Sequence, residues 1–326
     1  MRVTLSPELF TPPMQHTLLV ALLRYPLDER HRIELDVTHP AVASWLVSQA
    51  PGLREEIQTA LELSARGEVL EPSHTSVVVV RTGPSAYHAN PPRVALDDAR
   101  RFLDEPFAIV LEDARSDRAF LERMMTDEER RFLAQRIKKG FVRVDHGGGI
   151  DVMARRMKEE AEDPENRHRR WVLFDSDAMR PGAPSTASNR LRAACQDIAH
   201  HQLQRRYAES YLPHRSLHGW AANVSRRPER NQRLRLFEAF VAMTADQRHH
   251  YNMKDGFDGD AGRTDASAGD LYADLPRGAQ QALAHGFGSY IAQLFDDQSV
   301  TEADLRRDTG WDELRPSIGQ LLARMR

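Results

Sequence analysis

Short apolar runs alternate with amphipathic segments through the middle of the chain. The runs FAIVLED, FVRVDHGGG and RWVLFDSDA concentrate β-branched and aromatic residues and end in acids or glycines, which predicts three strands. The segments SDRAFLERMM, IDVMARRMKEEAE and NRLRAACQDIAHHQL follow them with apolar residues at helical spacing. Strands that alternate with helices predict crossover connections and a parallel sheet. The continuous apolar stretches predict that both faces of this sheet are covered.

The regions on either side have different patterns. Before residue 106, HRIELDV and TSVVVVRTG predict strands, LREEIQTALELSARG predicts a helix that ends at Gly67, and VALDDARRFLDE predicts a short helix. Beyond residue 213, RLRLFEAFVAMTADQRHHY, RGAQQALAHGFGSYIAQLFDD and IGQLLARMR predict helices, with the glycine-rich loop KDGFDGDAGRTDASAGD between the first two. We therefore predict an α/β protein with an α+β accessory region (1–105), a parallel-sheet domain (106–213) and a mainly helical region (214–326).

The composition is that of an ordinary globular protein. The chain of 326 residues is 40% hydrophobic and 29% charged, and its net charge of −3 does not by itself indicate a partner. The single cysteine, Cys195, excludes an internal disulfide and a multi-cysteine zinc site, and we expect it to be buried. We find no signal peptide, and no apolar stretch approaches the roughly 18 residues of a membrane span. We therefore expect a cytoplasmic protein with no membrane partner.

Acidic side chains follow each of the three predicted central strands. Glu112 and Asp113 follow the first, Asp145 the second, and Asp175 and Asp177 the third. Ligands of open parallel sheets bind outside the carboxyl ends of the strands. In an extended chain the i, i+2 spacing would point Asp175 and Asp177 the same way, and a cation would relieve their repulsion. Any one such acid is usually a cap or a solvated loop residue, but the group indicates a divalent-metal site.

Four segments together resemble a known domain. FAIVLEDARSDRAFLE, the glycines of HGGG, WVLFDSDA and RRYAESYLP occur in the order typical of TOPRIM domains, over roughly residues 106–213. TOPRIM is the Rossmann-like metal-binding fold of topoisomerases, bacterial primases and OLD-family nucleases. The similarity is greatest to OLD-like and stand-alone TOPRIM proteins of bacterial anti-phage systems.

This resemblance implies a specific set of site residues. Glu112, Asp175 and Asp177 would be catalytic, and together with Asp117 and Glu209 they would bind Mg²⁺, or Mn²⁺ in its place, as one or two ions. Two cations can stabilise both the attacking and the leaving oxygen of a phosphodiester displacement. Glu112 would be either a ligand or the general base, and the sequence leaves both roles open.

Two features depart from the family pattern. Asp113 stands where the family usually has glycine, and the interval from Glu112 to Asp117 is one residue longer than expected. The glycines at 147–149 admit two interpretations, a tight turn or a phosphate-binding helix start. The lysine and spacing of a P-loop are missing, so any ATPase would be a separate partner protein.

Basic residues are dense after the acidic segments. Residues 205–235 contain eight arginines against two glutamates, a density that favours contact with a phosphate backbone. The residues that we expect to contact DNA or RNA are Arg205, Arg206, Arg226, Arg227 and Lys254. Lys254 is also a candidate for the lysine that commonly assists sites of this family electrostatically. A solvated helix face is the alternative for the arginines, and a solvated loop position is the alternative for the lysine.

The leading hypothesis is a magnesium-dependent TOPRIM nuclease that cleaves DNA or RNA, as an effector of anti-phage defence. A second hypothesis, suggested by Asp113, is a binding or regulatory subunit whose site no longer catalyses. A third is a phosphatase of the haloacid dehalogenase type, which also has an Asp-x-Asp after a strand, but Ala178 and Met179 do not fit its pattern. Partners under the leading hypothesis are nucleic acid, a separate ATPase and a second copy of the chain.

Overall fold

The computed structural model describes residues 1–72, 75–263, 267–297, 300–307 and 310–326. These residues form two compact α/β units. The first comprises Met1–Phe107, Ile137–Val142 and Gln320–Arg326, and the second comprises Ala108–Arg136 and Arg143–Gly319. The region boundaries that we predicted at residues 105 and 213 stay predictions.

The first unit contains a four-stranded sheet of order β2-β1-β3-β4 in which every neighbouring pair is parallel. We expected an α+β region here. The strands are parallel because helices connect most of them, as a crossover requires. Its elements are β1 (Arg2–Leu5), α1 (His16–Leu23), β2 (Arg32–Glu34), α2 (Pro40–Ser48), α3 (Pro51–Leu70), β3 (Ser76–Val80), β4 (Arg93–Ala95) and α4 (Leu96–Asp104).

Two local expectations for the first unit need correction. Helix α3 does not end at Gly67 but continues to Leu70, since Gly67 lacks the left-handed conformation that ends helices. Strand β1 was not predicted. It contributes Val3 and Leu5 to the core, which also includes Leu19, Trp45 and other apolar side chains.

The second unit contains a sheet of order β6-β5-β7-β8, in which β5, β7 and β8 pair in parallel. All residues of β5 and β7 are buried, which confirms the expectation of a covered sheet. The elements up to the last strand are β5 (Phe107–Leu111), α5 (Ser116–Arg123), α6 (Asp127–Lys138), β6 (Val142–His146), α7 (Ile150–Ala161), α8 (Asn166–Arg169), β7 (Arg170–Phe174), α9 (Thr186–Ala194) and β8 (Ala199–Gln202).

The third predicted helix of this region is in fact a helix followed by a strand. Helix α9 ends before Cys195, and AHHQ forms β8, in register with β7 from Trp171 to Phe174. Cys195 itself is buried, as expected, in a cluster with Met153, Met157 and Leu191. Helices α7 and α9 thereby cover one face of the sheet and fix its carboxyl edge, where the acidic side chains lie.

The rest of the second unit is helical, but its helices are shorter and more numerous than predicted. The long helix expected from residue 233 is two helices, because Thr244 and Gln247 form a capping box that starts the second. The expected glycine-rich loop includes a short helix, and its residues 264–266 lie outside the described residues. The elements are α10 (His214–Ala222), α11 (Arg227–Ala242), α12 (Ala245–His250), α13 (Gly256–Asp260), α14 (Arg277–Ala282), α15 (Glu302–Arg306) and α16 (Gly310–Met325), with 3-10 turns at Pro7–Phe10, Ala208–Tyr211 and Ile291–Asp296.

Within the part of the chain that the structure describes, no helix has the length and apolar character needed to span a membrane.

Candidate metal centre

The Asp-Ser-Asp segment after β7 is fixed by hydrogen bonds to the segment after β8. Ser176 is fully buried, and its Oγ donates to the carbonyl oxygen of Arg205 at 2.7 Å. The N–H of Asp177 donates to the carbonyl oxygen of Arg206 at 3.0 Å. Asp177 has a φ of 52°, so the extended geometry on which we based the i, i+2 alignment ends at this residue. A hydrogen-bonded turn, rather than strand alternation, therefore orients the aspartate pair.

Glu209 is brought to Asp175 by the same pairing of segments. The N–H of Ala208 donates to Asp175 Oδ1 at 3.0 Å, and Glu209 is the next residue, in the 3-10 turn Ala208–Tyr211. Ser188 on α9 donates its hydroxyl to the carbonyl oxygen of Asp175 at 2.7 Å. The acids after β7 and β8 consequently belong to one site.

The first-strand acids are held by a compact turn between β5 and α5. Asp117 Oδ2 accepts from the N–H of Asp113 at 2.8 Å, and Asp113 Oδ1 accepts from the N–H of Arg115 at 2.8 Å. The N-cap residue of α5 is Arg115, so neither Ser116 nor Asp117 caps this helix. Asp113 itself is exposed and engaged within the turn. The backbone bond to Arg115 lowers its pKa.

Glycine is needed where the turn after β6 meets the end of β5. The N–H of Gly147 donates to the carbonyl oxygen of Leu111 at 2.7 Å, directly before Glu112. A Cβ at this position would lie 2.4 Å from Met153 Cγ and 2.8 Å from the same carbonyl oxygen. This close approach supports the tight-turn interpretation of the three glycines, because it gives Gly147 a packing role.

The negative charges of the acids from the different strands raise one another's pKa values, in addition to the effect of burial. Burial raises the pKa of Glu112 to about 7, and the charges of Asp117 and Asp177 add to the effect. Burial also raises the pKa of Asp117 to about 6, with a further contribution from Glu209. The pKa of Asp175 is raised well above its ordinary value by burial, then by Glu112 and Asp117. The structure therefore brings together all five predicted metal ligands.

Two buried carboxylate oxygens of this group are unsatisfied. Glu112 Oε2 and Glu209 Oε2 are inaccessible to solvent and have no hydrogen-bond partner among the described residues. Such an oxygen carries the full cost of its lost hydration unless a cation or a proton compensates it. Across the described ranges, no three His, Cys, Asp or Glu side chains form a ready-made metal cage. The five carboxylates thus interact electrostatically, but their side chains would have to move closer together to hold an ion.

Lys254 provides positive charge at this cluster. Its Nζ lies 3.0 Å from Glu209 Oε1, and it stands 5.6 Å from the centre of the Tyr207 ring. Burial lowers the pKa of Lys254, but the charges of Glu209 and Asp175 outweigh burial and raise it. Lys254 therefore lies at the acidic cluster, with 39% of its side chain still exposed.

The predicted arginines have different locations. Arg205 and Arg206 are buried: Arg205 Nη1 donates to the carbonyl oxygen of Ser210 at 2.8 Å, and Arg206 makes a two-bond ion pair with Asp260. These contacts place both arginines in the interior, and not on a surface that a nucleic acid could reach. Arg226 and Arg227 are exposed where α11 begins.

Asp145 is separate from the cluster. It pairs with Arg143 at 3.1 Å and with Arg156 at 2.7 Å, and Arg156 in turn contacts Glu160. Its carboxylate is neutralised by these arginines, which lower its pKa against the opposing effect of burial. Asp145, which lies within β6 and not after it as we expected, is consequently structural.

Sequence reasoning missed the residues that hold the site in place. Ser176 was treated only as a spacer between two aspartates, although its hydroxyl joins the two acidic segments. The loop at residues 286–288 was also missed. There the N–H of Phe287 donates to the carbonyl oxygen of Met253 at 2.7 Å, and that of Gly288 donates to the carbonyl oxygen of Lys254 at 2.9 Å. The only local signal for this loop is its pair of glycines.

Comparisons of this chain with protein-family models, with curated proteins and with solved structures gave no match.

Proposed function

We propose that the protein is a magnesium-dependent nuclease with a TOPRIM-like centre at the carboxyl edge of the second sheet. One observation carries this proposal: the buried, unsatisfied oxygens of Glu112 and Glu209 lie in a cluster of acids whose pKa values are raised by burial and, in addition, by one another's charge. A group of hard oxygen donors that lacks a compensating cation fits Mg²⁺ or Mn²⁺.

Glu112, Asp117, Asp175, Asp177 and Glu209 would hold one or two ions. A bound divalent cation supplies charge that stabilises the oxygens of a phosphodiester during displacement. Glu112 has a metal-free pKa of about 7 and is therefore suited to exchange a proton with water near neutral pH.

Lys254 has a separate role in this proposal. Its ammonium neutralises Glu209 and remains partly exposed, so that it can also meet a phosphate oxygen of the substrate. Tyr207 forms an aromatic wall beside it. Both groups would orient the scissile phosphate rather than exchange protons with it.

The test is a cleavage assay with tRNA, single-stranded DNA and plasmid DNA, with and without Mg²⁺. We expect cleavage that requires the metal and falls by at least about a hundredfold in Glu112→Gln, because both a ligand charge and a proton acceptor are removed. Glu128→Gln, at an exposed glutamate on α6, is the matched control and should cleave normally. Cleavage that survives Glu112→Gln would show that the reaction occurs elsewhere.

Of the alternatives, the non-catalytic subunit was suggested by Asp113. Its exposed carboxylate accepts a hydrogen bond from the N–H of Arg115, and its charge contributes to the raised pKa of Asp117, so this alternative stays open. The phosphatase alternative gains no observation in its favour. The role in anti-phage defence, the separate ATPase partner, the homo-oligomer and the cytoplasmic location remain predictions.

A further inference from the structure

A groove of about 700 Å³ lies between α11, α14 and the loop at residues 285–288, outside the acidic cluster. Its walls combine the rings of Trp220 and Phe287 with the side chains of Gln232, Arg233, Arg235 and Gln281, and the carboxylate of Glu229 also lines it. Gly278 on α14 and Gly288 on the loop face open space, since a Cβ added at either would meet nothing within 4 Å. A side chain added at either glycine would therefore meet no neighbouring atom of the fold.

Trp220 and Arg233 form a stacked pair in this groove. The guanidinium carbon of Arg233 stands 4.3 Å from the centre of the Trp220 ring, and Arg233 is fixed by an ion pair with Glu229 at 2.7 Å. The ring centre of Phe287 lies 5.3 Å from that of Trp220, so Phe287 packs against the indole. Rigid aromatic and guanidinium planes of this kind are the surfaces on which unpaired bases stack.

Positive charge extends from the groove along α11. Arg227, Arg230 and Arg233 recur every three residues and so lie along one face of the helix, with Arg226 just before it. Arg226, Arg227 and Arg230 are exposed. A line of cations that leads to an aromatic groove is complementary to a sugar-phosphate chain with a protruding base.

The groove is connected to the candidate metal centre through the backbone. The loop that forms one of its walls donates two hydrogen bonds, from Phe287 and Gly288, to the carbonyl oxygens of Met253 and Lys254. Gly286 packs so closely that a Cβ there would lie 2.6 Å from the carbonyl oxygen of Lys254. The segment that presents the Lys254 ammonium to Glu209 is thus held by the wall of the groove.

We propose that this groove holds an unpaired base of a single-stranded nucleic acid, whose phosphates run along the arginines of α11. This inference rests on the proposed function and specifies its substrate class, because a duplex keeps its base faces stacked and could not present one to Trp220. The amides of Gln232 and Gln281 offer donors and acceptors to the edge of the base.

Tryptophan fluorescence tests the inference directly. Trp45, Trp171 and Trp311 are buried, which leaves Trp220 as the partly exposed indole among the four of this chain. We would titrate the full-length protein in EDTA, where no metal-dependent cleavage occurs, with a short single-stranded oligonucleotide and with an abasic sugar-phosphate of equal length. The base-containing strand should quench the fluorescence and bind about tenfold more tightly than the abasic strand, the effect expected of one stacked base.

Gly278→Phe is the decisive variant because it fills the groove where the fold leaves space. We expect it to lower the affinity for the base-containing strand to that of the abasic strand. Gly52→Phe, at a helix position that also faces open space, should bind as the unsubstituted protein does. Equal binding of the two strands, quenching that persists in Gly278→Phe, or an acidic peptide that binds more tightly than the oligonucleotide would each overturn the inference.

The result is separable from that of the cleavage assay. Quenching of the tryptophan fluorescence without metal-dependent cleavage would contradict the proposed nuclease activity but support a binding site for single-stranded nucleic acid. Cleavage that depends on Glu112 but is accompanied by no quenching would remove the base site alone.

Discussion

At the scale of single residues, the acidic cluster depends on one lysine. Lys254 lies 3.0 Å from Glu209, and Glu209 is only 3% exposed. Buried carboxylates without a cation would be forced to bind protons or to destabilise the fold. In the metal-free protein this ammonium is therefore expected to supply part of the charge that a divalent ion would contribute.

Replacement of Lys254 by methionine tests this dependence. The metal-free variant should lose about 1–3 kcal/mol of unfolding free energy, because Glu209 is left without its counter-charge. This loss is smaller than for a fully buried ion pair, since the lysine is partly exposed to solvent. Urea unfolding in EDTA measures the loss, and addition of Mg²⁺ should recover part of it. Lys158→Met, at an exposed lysine on α7, is the control. Equal stability of the two variants would contradict the role given to Lys254.

The raised pKa values of Glu112 and Asp117 predict how magnesium binding depends on pH. A carboxyl group whose pKa is higher in the folded state stabilises the fold at low pH, and this contribution is lost as the pH rises through about 6 to 7. Magnesium requires the ionised carboxylates, so its stabilising effect grows over the same window. The rise in melting temperature on addition of Mg²⁺ should be larger at about pH 8 than at about pH 5.5.

Glu112→Gln is the control for this pH dependence. It removes the group with a pKa of about 7 and should flatten the response to pH. An equal magnesium shift at both pH values in the unsubstituted protein would mean that these carboxylates do not bind the ion.

The site residues differ in how far the sequence could predict them. Glu112, Asp175 and Glu209 were predicted from their family-like order, and the structure brings them together. The burial of Arg206 was not predictable, because its partner Asp260 is 54 residues away and arginine is exposed in most contexts. The role of Ser176 likewise depends on a contact with Arg205 that no local pattern reveals.

At the scale of elements, the turn from β6 to α7 supports the end of β5. Gly147 has an ordinary φ but no room for a side chain, whereas Gly148 and Gly149 have φ values of 78° and 92°. The glycines therefore serve two purposes: one allows close packing, and two allow a left-handed backbone.

Gly147→Ala should displace the turn and the neighbouring Glu112. A Cβ 2.4 Å from Met153 Cγ requires movement, and such overpacking costs about 1–3 kcal/mol. We expect a lower melting temperature together with weaker magnesium binding. Gly319→Ala on α16 has open space around its Cβ and should be neutral or stabilising, as expected for this change inside a helix. A Gly147→Ala protein with unchanged stability and metal affinity would contradict the packing argument.

Among the elements, strongly apolar strands were predictable and short polar ones were not. FAIVL and RWVLF are buried at every position and were recognised by their composition. The strand AHHQ has two histidines and follows a helical pattern without a break signal, so only its pairing with β7 makes it a strand. The division of residues 233–251 into two helices was also not predicted. The apolar spacing continues through this segment, but the capping box at Thr244 and Gln247 begins a new helix.

At the scale of the whole molecule, the two units are built from non-consecutive parts of the chain. The first unit takes Ile137–Val142 and Gln320–Arg326 in addition to Met1–Phe107. Sequence patterns report neighbours along the chain, and so they could not reveal that a segment at residue 320 completes a unit that begins at residue 1. The α/β class and the parallel sheet of the second unit follow from local alternation and were predictable.

Removal of residues 320–326 should destabilise the first unit. The segment contains three buried apolar side chains, Leu321, Leu322 and Met325, and each is worth about 1.5–3 kcal/mol when buried. We expect earlier thermal unfolding and faster proteolysis within residues 1–107 than in the full chain. Gln320→Ala, at an exposed position, is the control. A truncated protein with the original melting temperature and cleavage pattern would show that the segment does not belong to this unit.

The left-handed backbone at Asp177 limits which residues this position can accept. With a φ of 52°, a β-branched or bulky residue would be strained, whereas asparagine and glycine adopt this conformation readily. Asparagine would keep the shape of the turn and remove only the negative charge. Among viable descendants of this chain that have lost the acid, we therefore expect Asn or Gly at position 177. Loss of activity in Asp177→Val could result from a strained fold as well as from the missing carboxylate, so this variant does not test the chemistry.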